Sequence, residues 1–219
     1  MTWKIVYYGP AMSGKTTNLI ALHDLVGGPK KSQMMQMNTR EDRTLFFDLL
    51  PMTWHADSGA RLKIKLYTVP GQVQYDSTRK AVLMRADAVV FVADSQCAQS
   101  RNNSESFANL EKNCRQVGLD FDRIPLVVQY NKRDLPGDNI VAEEKVAGRW
   151  QEAGIPLIFS SAMYGRGVLD TFETVLRLAC RDVDRRHKIS DRFGIREEQV
   201  MSAFLQGAEL KDGGTYVPA

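Results

Sequence analysis

The sequence predicts an α/β fold in which a central, mostly parallel sheet is flanked by helices on both faces. Strand-like apolar runs alternate with helix-like stretches along the chain, which is the order typical of doubly wound domains. Two of the runs, at 88–93 and 125–130, are continuously apolar. Such runs indicate parallel strands that are covered on both faces.

The individual elements follow from their periodicity. Residues 61–69 alternate strictly between polar and apolar side chains, as a strand with one exposed face does. The predicted strands are 3–8, 61–69, 88–93, 125–130 and 155–160, with a sixth strand at 52–57 that we expect at an edge of the sheet. The predicted helices are about 15–26, 74–85, 99–117, 141–153 and 167–186.

Two segments do not fit this alternation. Residues 27–44 form a long, polar, Met-rich connection, and a connection of that length is usually functional or disordered. The end of the chain, 207–219, has the composition of a disordered tail. We therefore predict one domain at 1–180, followed at 181–219 by a helical C-terminal extension and a flexible tail.

Composition excludes several classes of protein. The apolar share of 43% and the charged share of 25% are those of globular chains, which excludes a collagen-like or wholly disordered protein. The net charge of +3 over 219 residues is too small to indicate nucleic-acid binding. No apolar run reaches the roughly 18 residues of a transmembrane segment. Three cysteines at wide spacings indicate reduced thiols and a cytoplasmic protein.

The segment from Gly9 to Thr16 matches the phosphate-binding pattern G-x-x-x-x-G-K-[ST], between a predicted strand and a predicted helix. Glycines allow the backbone to approach phosphate closely, and the N–H groups of the helix N-terminus supply positive potential. We expect Lys15 to reach the β- and γ-phosphates and the Thr16 hydroxyl to bind Mg²⁺. The residues predicted to contact a nucleotide in this segment are Gly9, Ala11, Ser13, Gly14, Lys15, Thr16 and Thr17.

A second motif, N-K-x-D, favours guanine over adenine. Asn131, Lys132 and Asp134 follow a predicted strand, on the ligand side of such a sheet. The Asp134 carboxylate can accept hydrogen bonds from N1–H and the 2-amino group of guanine, a donor pair that adenine lacks on that edge. The Asn131 amide can contact N7 and brace the loop. Ser161 and Ala162 follow the next strand, where a backbone N–H can be aimed at guanine O6.

These segments resemble the Ras-like small GTPases, and more closely their bacterial gliding-motility (Mgl-type) branch. The stretches that carry the resemblance are 4–19, 42–51, 66–80, 89–96 and 124–136, which together span most of 3–180. The resemblance implies a P-loop NTPase with a Ras-like sheet. It also implies a Mg²⁺-dependent switch that binds and hydrolyses GTP, and whose GDP and GTP forms present different surfaces to partners.

The resemblance further implies roles for single residues. Thr44 corresponds to the switch threonine that senses the γ-phosphate and binds Mg²⁺. Gly71 belongs to the nucleotide site, and Gln72 corresponds to the glutamine that orients the attacking water. Arg43 corresponds to an arginine finger, a group worth about 10³–10⁵ in rate. Arg40 is a neighbour that could take its place.

Partners and location are also implied by the resemblance alone. We expect a roadblock-type GTPase-activating protein that stimulates a slow intrinsic hydrolysis, and effectors that act in cell polarity or motility. We expect a cytoplasmic protein that is recruited to the cell pole or the inner membrane face. The basic region 185–196 could make a weak peripheral contact with an acidic membrane.

Two positions depart from the common small-GTPase pattern. The usual D-x-x-G motif reads Thr68-Val-Pro-Gly71, so the acid expected in the Mg²⁺ water shell is missing, a departure that the Mgl-type branch shares. Asp42 or Asp48 could supply the charge instead. Ala11 stands where many members have glycine, and its methyl group could crowd the attacking water or the glutamine. This second departure concerns the rate of hydrolysis and not the binding of nucleotide.

Two other functions remain open from the residues. The chain could be a scaffold that binds guanine nucleotide and hydrolyses it poorly, because Ala11 has removed useful catalysis. A P-loop nucleoside or nucleotide kinase is disfavoured, since it would leave the guanine motif unexplained. The rate of single-turnover GTP hydrolysis distinguishes the scaffold from a GTPase switch. Competition between guanine and adenine nucleotides distinguishes the kinase from it.

Overall fold

The computed structural model describes residues 1–26, 34–37, 47–56, 59–205 and 216–217. Eight strands within these ranges form one sheet, in the order β2-β3-β4-β1-β5-β6-β7-β8. The pairs along β4-β1-β5-β6-β7 are parallel, while β2–β3, β3–β4 and β7–β8 are antiparallel. The strands are β1 (Thr2–Tyr8), β2 (Met35–Met37), β3 (Phe47–His55), β4 (Arg61–Thr68), β5 (Ala88–Asp94), β6 (Leu126–Asn131), β7 (Leu157–Phe159) and β8 (Tyr216–Val217).

Helices cover the two faces of this sheet. They are α1 (Lys15–Leu25), α2 (Asp76–Leu83), α3 (Ser100–Gln116), α4 (Glu143–Glu152), α5 (Val168–His187), α6 (Ile189–Phe193) and α7 (Glu197–Leu205). One apolar cluster lies under α1, α5 and α7 and contains Leu19, Phe172 and Phe204. A second cluster lies under α2, α3 and α4 and contains Leu110 and Trp150. The predicted architecture is therefore observed.

Strand patterns match the burial that they predict. Every residue of β5 is buried, because this central strand has a helix layer on each face. In β4 the residues at alternate positions, from Leu62 to Thr68, are the buried ones, as the strict sequence alternation requires. The predicted helices and the five principal strands lie where they were expected, with ends displaced by no more than two residues.

The predicted edge strand at 52–57 is wrong in extent and position. The strand β3 begins at Phe47, five residues earlier, and ends at His55. Its first three residues pair with β2, which forms inside the connection that was read as a loop, so β3 has neighbours on both sides there. Pro51 concealed the strand, because proline is disfavoured inside a sheet. It is tolerated here because β2 ends before it.

The C-terminal extension packs on the same core. The helix α5 continues through residue 187, and α7 returns across it, with Val200, Met201, Ala203 and Phe204 in the cluster under α1 and α5. Arg177 and Arg181 of α5 both bind the Glu197 carboxylate. Tyr216 and Val217 pair with β7, so the predicted disordered tail contributes a short strand. The division at 180 stays a prediction.

In the ranges that the structure describes, no helix has both the length and the apolar character needed to span a lipid bilayer.

Candidate nucleotide-binding site

The candidate site lies where the parallel strands end. The loops after β1, β4, β5, β6 and β7 all leave the carboxyl edge of the sheet, which is the usual ligand side of an open α/β sheet. These loops carry the phosphate-binding segment, the Thr68–Gly71 turn, the N-K-x-D motif and Ser161. Residues that are far apart in sequence are therefore brought to one edge.

Two glycines of the phosphate-binding segment, or P-loop (9–16), have no room for a side chain. A Cβ atom on Gly9 would lie 2.2 Å from the carbonyl oxygen of Val92, and one on Gly14 would lie 2.1 Å from Nδ2 of Asn131. Gly14 has φ 97° and directly precedes the first residue of α1. The segment thus forms a tight cradle at a helix N-terminus, which favours anions.

Lys15 is the charged group of this cradle. Its side chain is only 7% exposed, and its Nζ donates to the carbonyl oxygens of Gly9 at 3.1 Å and Pro10 at 2.6 Å. Burial, and then the nearby positive charge of Arg79, lower the pKa of Lys15 to about 7, although Asp48 opposes the shift. A negatively charged ligand would stabilise the ammonium form.

The cradle also contains a buried hydroxyl group that makes no hydrogen bond to the described residues. The Ser13 hydroxyl is buried and has no hydrogen-bond partner among the described residues. A buried hydroxyl without a partner is unfavourable, so the site fits a ligand that offers acceptor oxygens. Together with the lowered pKa of Lys15, this observation indicates that phosphate oxygens fit the P-loop.

On the side of the site where the usual acid is missing, Asp48 is the carboxylate that lies beside Thr16. Its Oδ2 atom accepts from the Thr16 hydroxyl at 2.5 Å and from the Thr68 hydroxyl at 2.8 Å. The Asp48 N–H donates to the Thr68 hydroxyl at 2.8 Å, and the residue is 9% exposed. Of the two candidates from the sequence, Asp48 lies in the site and Asp42 lies outside the described residues.

This donor set fits magnesium. Hydroxyl and carboxylate oxygens are the hard ligands that Mg²⁺ prefers, and sites that also bind phosphate usually provide one or two carboxylates. Across the described ranges no group of three or more His, Cys, Asp or Glu side chains is placed to hold a metal. Thr16 and Asp48, completed by phosphate oxygens and water, are therefore the ligand set that the structure offers.

Asn131 joins the phosphate end to the base end. Its Nδ2 donates to the carbonyl oxygen of Ser13 at 2.9 Å, and its Oδ1 accepts from the Ala162 N–H at 2.9 Å and the Ser160 hydroxyl at 3.1 Å. The bracing role predicted for Asn131 is thus present. Of the backbone N–H groups in this loop, one of which was predicted to face guanine O6, that of Ala162 donates to Asn131.

The two charged residues of the N-K-x-D motif are each held by another side chain. The Asp134 carboxylate accepts a hydrogen bond from the Ser161 hydroxyl, which fixes its orientation. Lys132 has φ 71°, and its Nζ donates to Asp94 at 2.6 Å. Asp94 is 3% exposed and also accepts from the N–H of Gln96. The conformation of the loop is therefore determined by protein contacts.

The Gly71 turn lies against the P-loop. A Cβ atom on Gly71 would lie 2.2 Å from Cα and 2.3 Å from the backbone nitrogen of Ala11, so the two backbones are in contact. Gln72 is exposed, and its Oε1 accepts from Nε2 of Gln74 at 3.0 Å. Arg43, Thr44 and the neighbouring Arg40 lie outside the described residues.

Sequence reasoning missed one buried residue beside this turn. Arg79 is 1% exposed and donates to the carbonyl oxygens of Pro70 and Gly71. The signal was present in the helical spacing, because Arg79 shares the buried face of α2 with Val82 and Leu83.

The whole-chain comparisons agree with this geometry. The sequence matches the Ras family over residues 4–181. The chain belongs to the Ras family. Membership confirms the predicted P-loop, Ras-like fold and the predicted family, and it makes the chain a small GTPase of the class that binds GTP and GDP.

Individual relatives show the same pattern. The chain is 43% identical over 182 residues to the mutual gliding-motility protein MglA of Myxococcus xanthus (strain DK1622), covering 83% of this chain and 92% of MglA. It is 26% identical over 184 residues to Rab-27A of Sus scrofa, covering 83% and 80%. It is 24% identical over 151 residues to Ras-like protein 1 of Saccharomyces cerevisiae (strain ATCC 204508 / S288c), covering 67% and 48%. The predicted similarity to MglA is confirmed.

Proposed function

We propose that this Ras-family chain is a Mg²⁺-dependent switch that hydrolyses GTP slowly alone and faster with an activating partner. The observation that carries the proposal is a pair of hydrogen bonds, in which Asn131 donates to the Ser13 carbonyl of the P-loop and accepts from the Ala162 N–H. Through it, a phosphate cradle and a guanine-selective carboxylate belong to one rigid edge of the sheet. A competition titration of GDP, GTP and ATP tests the proposal, and equal affinity for ATP would contradict it.

Each part of the nucleotide has a matching group. The P-loop backbone, Lys15 and Ser13 would contact the phosphates, and Asp134 would accept from the guanine edge. Thr16 and Asp48 would hold Mg²⁺, with Thr44 as a further ligand carried over from the family. When bound, the metal would neutralise charge on the phosphates. Thr17, which follows Thr16 in the first turn of α1, is proposed as a further phosphate contact.

Hydrolysis is proposed to depend on two side chains. Gln72 would orient the attacking water, and Arg43 would stabilise charge that develops on the phosphate. A partner would then need only to hold Arg43 toward the γ-phosphate, without inserting an arginine of its own. Arg43→Ala should abolish most of the partner-stimulated single-turnover rate and leave GDP affinity nearly unchanged, since a finger acts on the transition state. An unchanged stimulated rate would remove Arg43 from this role.

The scaffold alternative has one supporting observation. The Ala11 backbone is in contact with Gly71, so the residue that carries the extra methyl group lies beside the turn that holds Gln72. The Ala11→Gly variant separates the two functions. A switch should show measurable single-turnover hydrolysis with Ala11 in place, whereas a scaffold should gain hydrolysis only on the change to glycine.

The cellular role is proposed from similarity to MglA, whose name states gliding motility. We propose that the chain acts in cell polarity or motility, with a roadblock-type GTPase-activating protein as its regulator and with the cytoplasm and the cell pole as its locations. Membrane contact through 185–196 should be weak, because Arg185 and Arg186 both pair with Asp182. A pull-down that compares the GDP form with a non-hydrolysable GTP form tests the partner assignments.

A further inference from the structure

Arg79 is a buried charge that the nucleotide site described so far does not use. It lies on α2, and its side chain is among the largest that are fully buried in the described part of the chain. Burying a guanidinium is strongly unfavourable unless its donors are satisfied. The position of its partners therefore shows what this charge holds in place.

Two of those partners are consecutive carbonyl groups in the turn after β4. Nε of Arg79 donates to the Pro70 oxygen at 2.9 Å, and Nη2 donates to the Gly71 oxygen. The planar guanidinium of arginine can donate to two adjacent acceptors in a fixed geometry, whereas the compact ammonium of lysine cannot. Both peptide groups of the turn are thus fixed by one side chain.

The direction of two N–H groups follows from these bonds. No cis peptide bond is found in the described residues, and in a trans peptide the N–H points opposite to the C=O. Because the Pro70 and Gly71 carbonyls face Arg79, the N–H groups of Gly71 and Gln72 face away from it. Gly71 is also the residue whose backbone contacts Ala11 of the P-loop. The turn therefore contacts Arg79 through its carbonyl groups and the P-loop through the Gly71 backbone.

The other side of Arg79 is anchored to α3 and β1. Its Nη1 donates to Oδ1 of Asn109 at 2.7 Å, and its guanidinium lies 5.5 Å from the centre of the Tyr8 ring. Asn109 and Asn113 donate to Asp76 at 3.0 and 2.8 Å. Burial raises the pKa of Asp76, but the hydrogen bonds from the two asparagines and the contact with Lys80 lower it by more. The net shift is downward, which keeps the carboxylate charged.

We propose that Arg79 is the positioning residue for the terminal phosphate of GTP. By holding the Pro70 and Gly71 carbonyls, it directs the Gly71 and Gln72 N–H groups to the P-loop side, where a γ-phosphate would lie. GDP has no γ-phosphate, so Arg79 sets the preference between the two nucleotides. The inference rests on the proposed function.

The test compares two nucleotides in two variants. The dissociation constants of GDP and of the slowly hydrolysed analogue GTPγS are measured for the unchanged protein, Arg79→Met and Arg79→Lys. In Arg79→Met, GTPγS affinity should fall about tenfold, which corresponds to about 1.4 kcal/mol, and GDP affinity should fall by less than about threefold. Arg79→Lys should lie between, because it keeps the charge but loses the fork.

The Tyr8→Phe variant is the matched control. It removes the hydroxyl that donates to Asn109, while it keeps the ring beside Arg79 and the bonds from Arg79 to the turn. Stability should fall, and the GTPγS-to-GDP ratio should not change. An equal loss for both nucleotides in Arg79→Met, or a stronger preference for GTPγS, would overturn the inference.

Three further outcomes are distinguishable. If Arg79→Met does not fold, the ratio in Arg79→Lys decides, and an unchanged ratio there overturns the inference. If the unchanged protein binds neither nucleotide, it is the proposed function that fails, and the inference fails with it. If the unchanged protein binds both and the variants keep its ratio, only the positioning role of Arg79 is lost.

Discussion

The base end and the phosphate end of the site are built differently. At the base end Asn131, Lys132 and Asp134 are each held by side-chain or backbone contacts to the protein itself. At the phosphate end Lys15 is buried with a lowered pKa, and the Ser13 hydroxyl has no partner among the described residues. At the base end the polar side chains find their hydrogen-bond partners within the protein, whereas the phosphate end keeps a buried hydroxyl that a ligand could bind.

This difference separates specificity from switching. Preformed hydrogen bonds at the base end cost little reorganisation when guanine arrives, so they provide affinity and selectivity in both nucleotide states. At the phosphate end, the Ser13 hydroxyl without a partner among the described residues and the buried Lys15 ammonium gain more when phosphate arrives, and the gain depends on the number of phosphates. The two ends should therefore respond differently to substitution.

The largest effect is expected at Asp134. Asp134→Asn replaces an acceptor carboxylate by an amide whose NH₂ faces the donors of guanine. GTP and GDP affinity should both fall by about 100-fold, since hydrogen bonds to a charged group contribute about 1.5–3 kcal/mol. Xanthosine nucleotides, which present an acceptor at that position, should gain affinity. Isothermal titration measures all three.

Arg133→Ala provides the control for this change. Arg133 lies between the two motif residues but donates to the Val141 carbonyl and lies 5.0 Å from the centre of the Phe159 ring. Its loss should change GTP affinity by less than about threefold, because neither of these contacts involves a base. If Asp134→Asn bound GTP as tightly as Arg133→Ala does, the base end would be misassigned.

A smaller and more selective effect is expected at Asp48. Asp48→Asn keeps the shape but removes the charge beside Thr16. The Mg²⁺ concentration needed for tight GDP binding should rise by about tenfold, while GDP affinity in a chelator should change little. The double variant Asp48→Thr, Thr68→Asp moves the acid across the strand pair and should recover Mg²⁺ dependence. Equal behaviour of Asp48→Asn and the unchanged protein would exclude Asp48 from the metal site.

The sequence could predict the short-range parts of this site and not the long-range ones. The P-loop and the guanine motif are each a short continuous segment, so the spacing of their residues identifies them. The Asp48 contact depends on the register in which Leu49 pairs with Tyr67, which brings the neighbouring residue to Thr68. That register belongs to a strand that Pro51 concealed. The Arg79 contacts also join α2 to a turn and to α3, and no local sequence pattern predicts contacts between segments that are distant in sequence.

The smallest effect is the pH dependence of nucleotide affinity. Lys15 has a pKa of about 7 without nucleotide, lowered mainly by burial. Phosphate favours the charged form, so its pKa is higher in the complex. Below about pH 7, Lys15 is protonated both in the free protein and in the nucleotide complex, so the full affinity is present. Above it the free protein is neutral at Lys15, and binding must take up a proton.

Affinity for GDP should therefore fall as the pH rises, by about tenfold between about pH 6 and about pH 8. Titrations in buffers of different ionisation enthalpy should show proton uptake at the higher pH. Lys15→Met should bind more weakly and lose this component, while it keeps any dependence that comes from ionisation of the nucleotide. The difference between the two proteins isolates Lys15. Parallel pH profiles would mean that the buried ammonium is already charged before phosphate arrives, and the contrast between the two ends of the site would then rest on Ser13 alone.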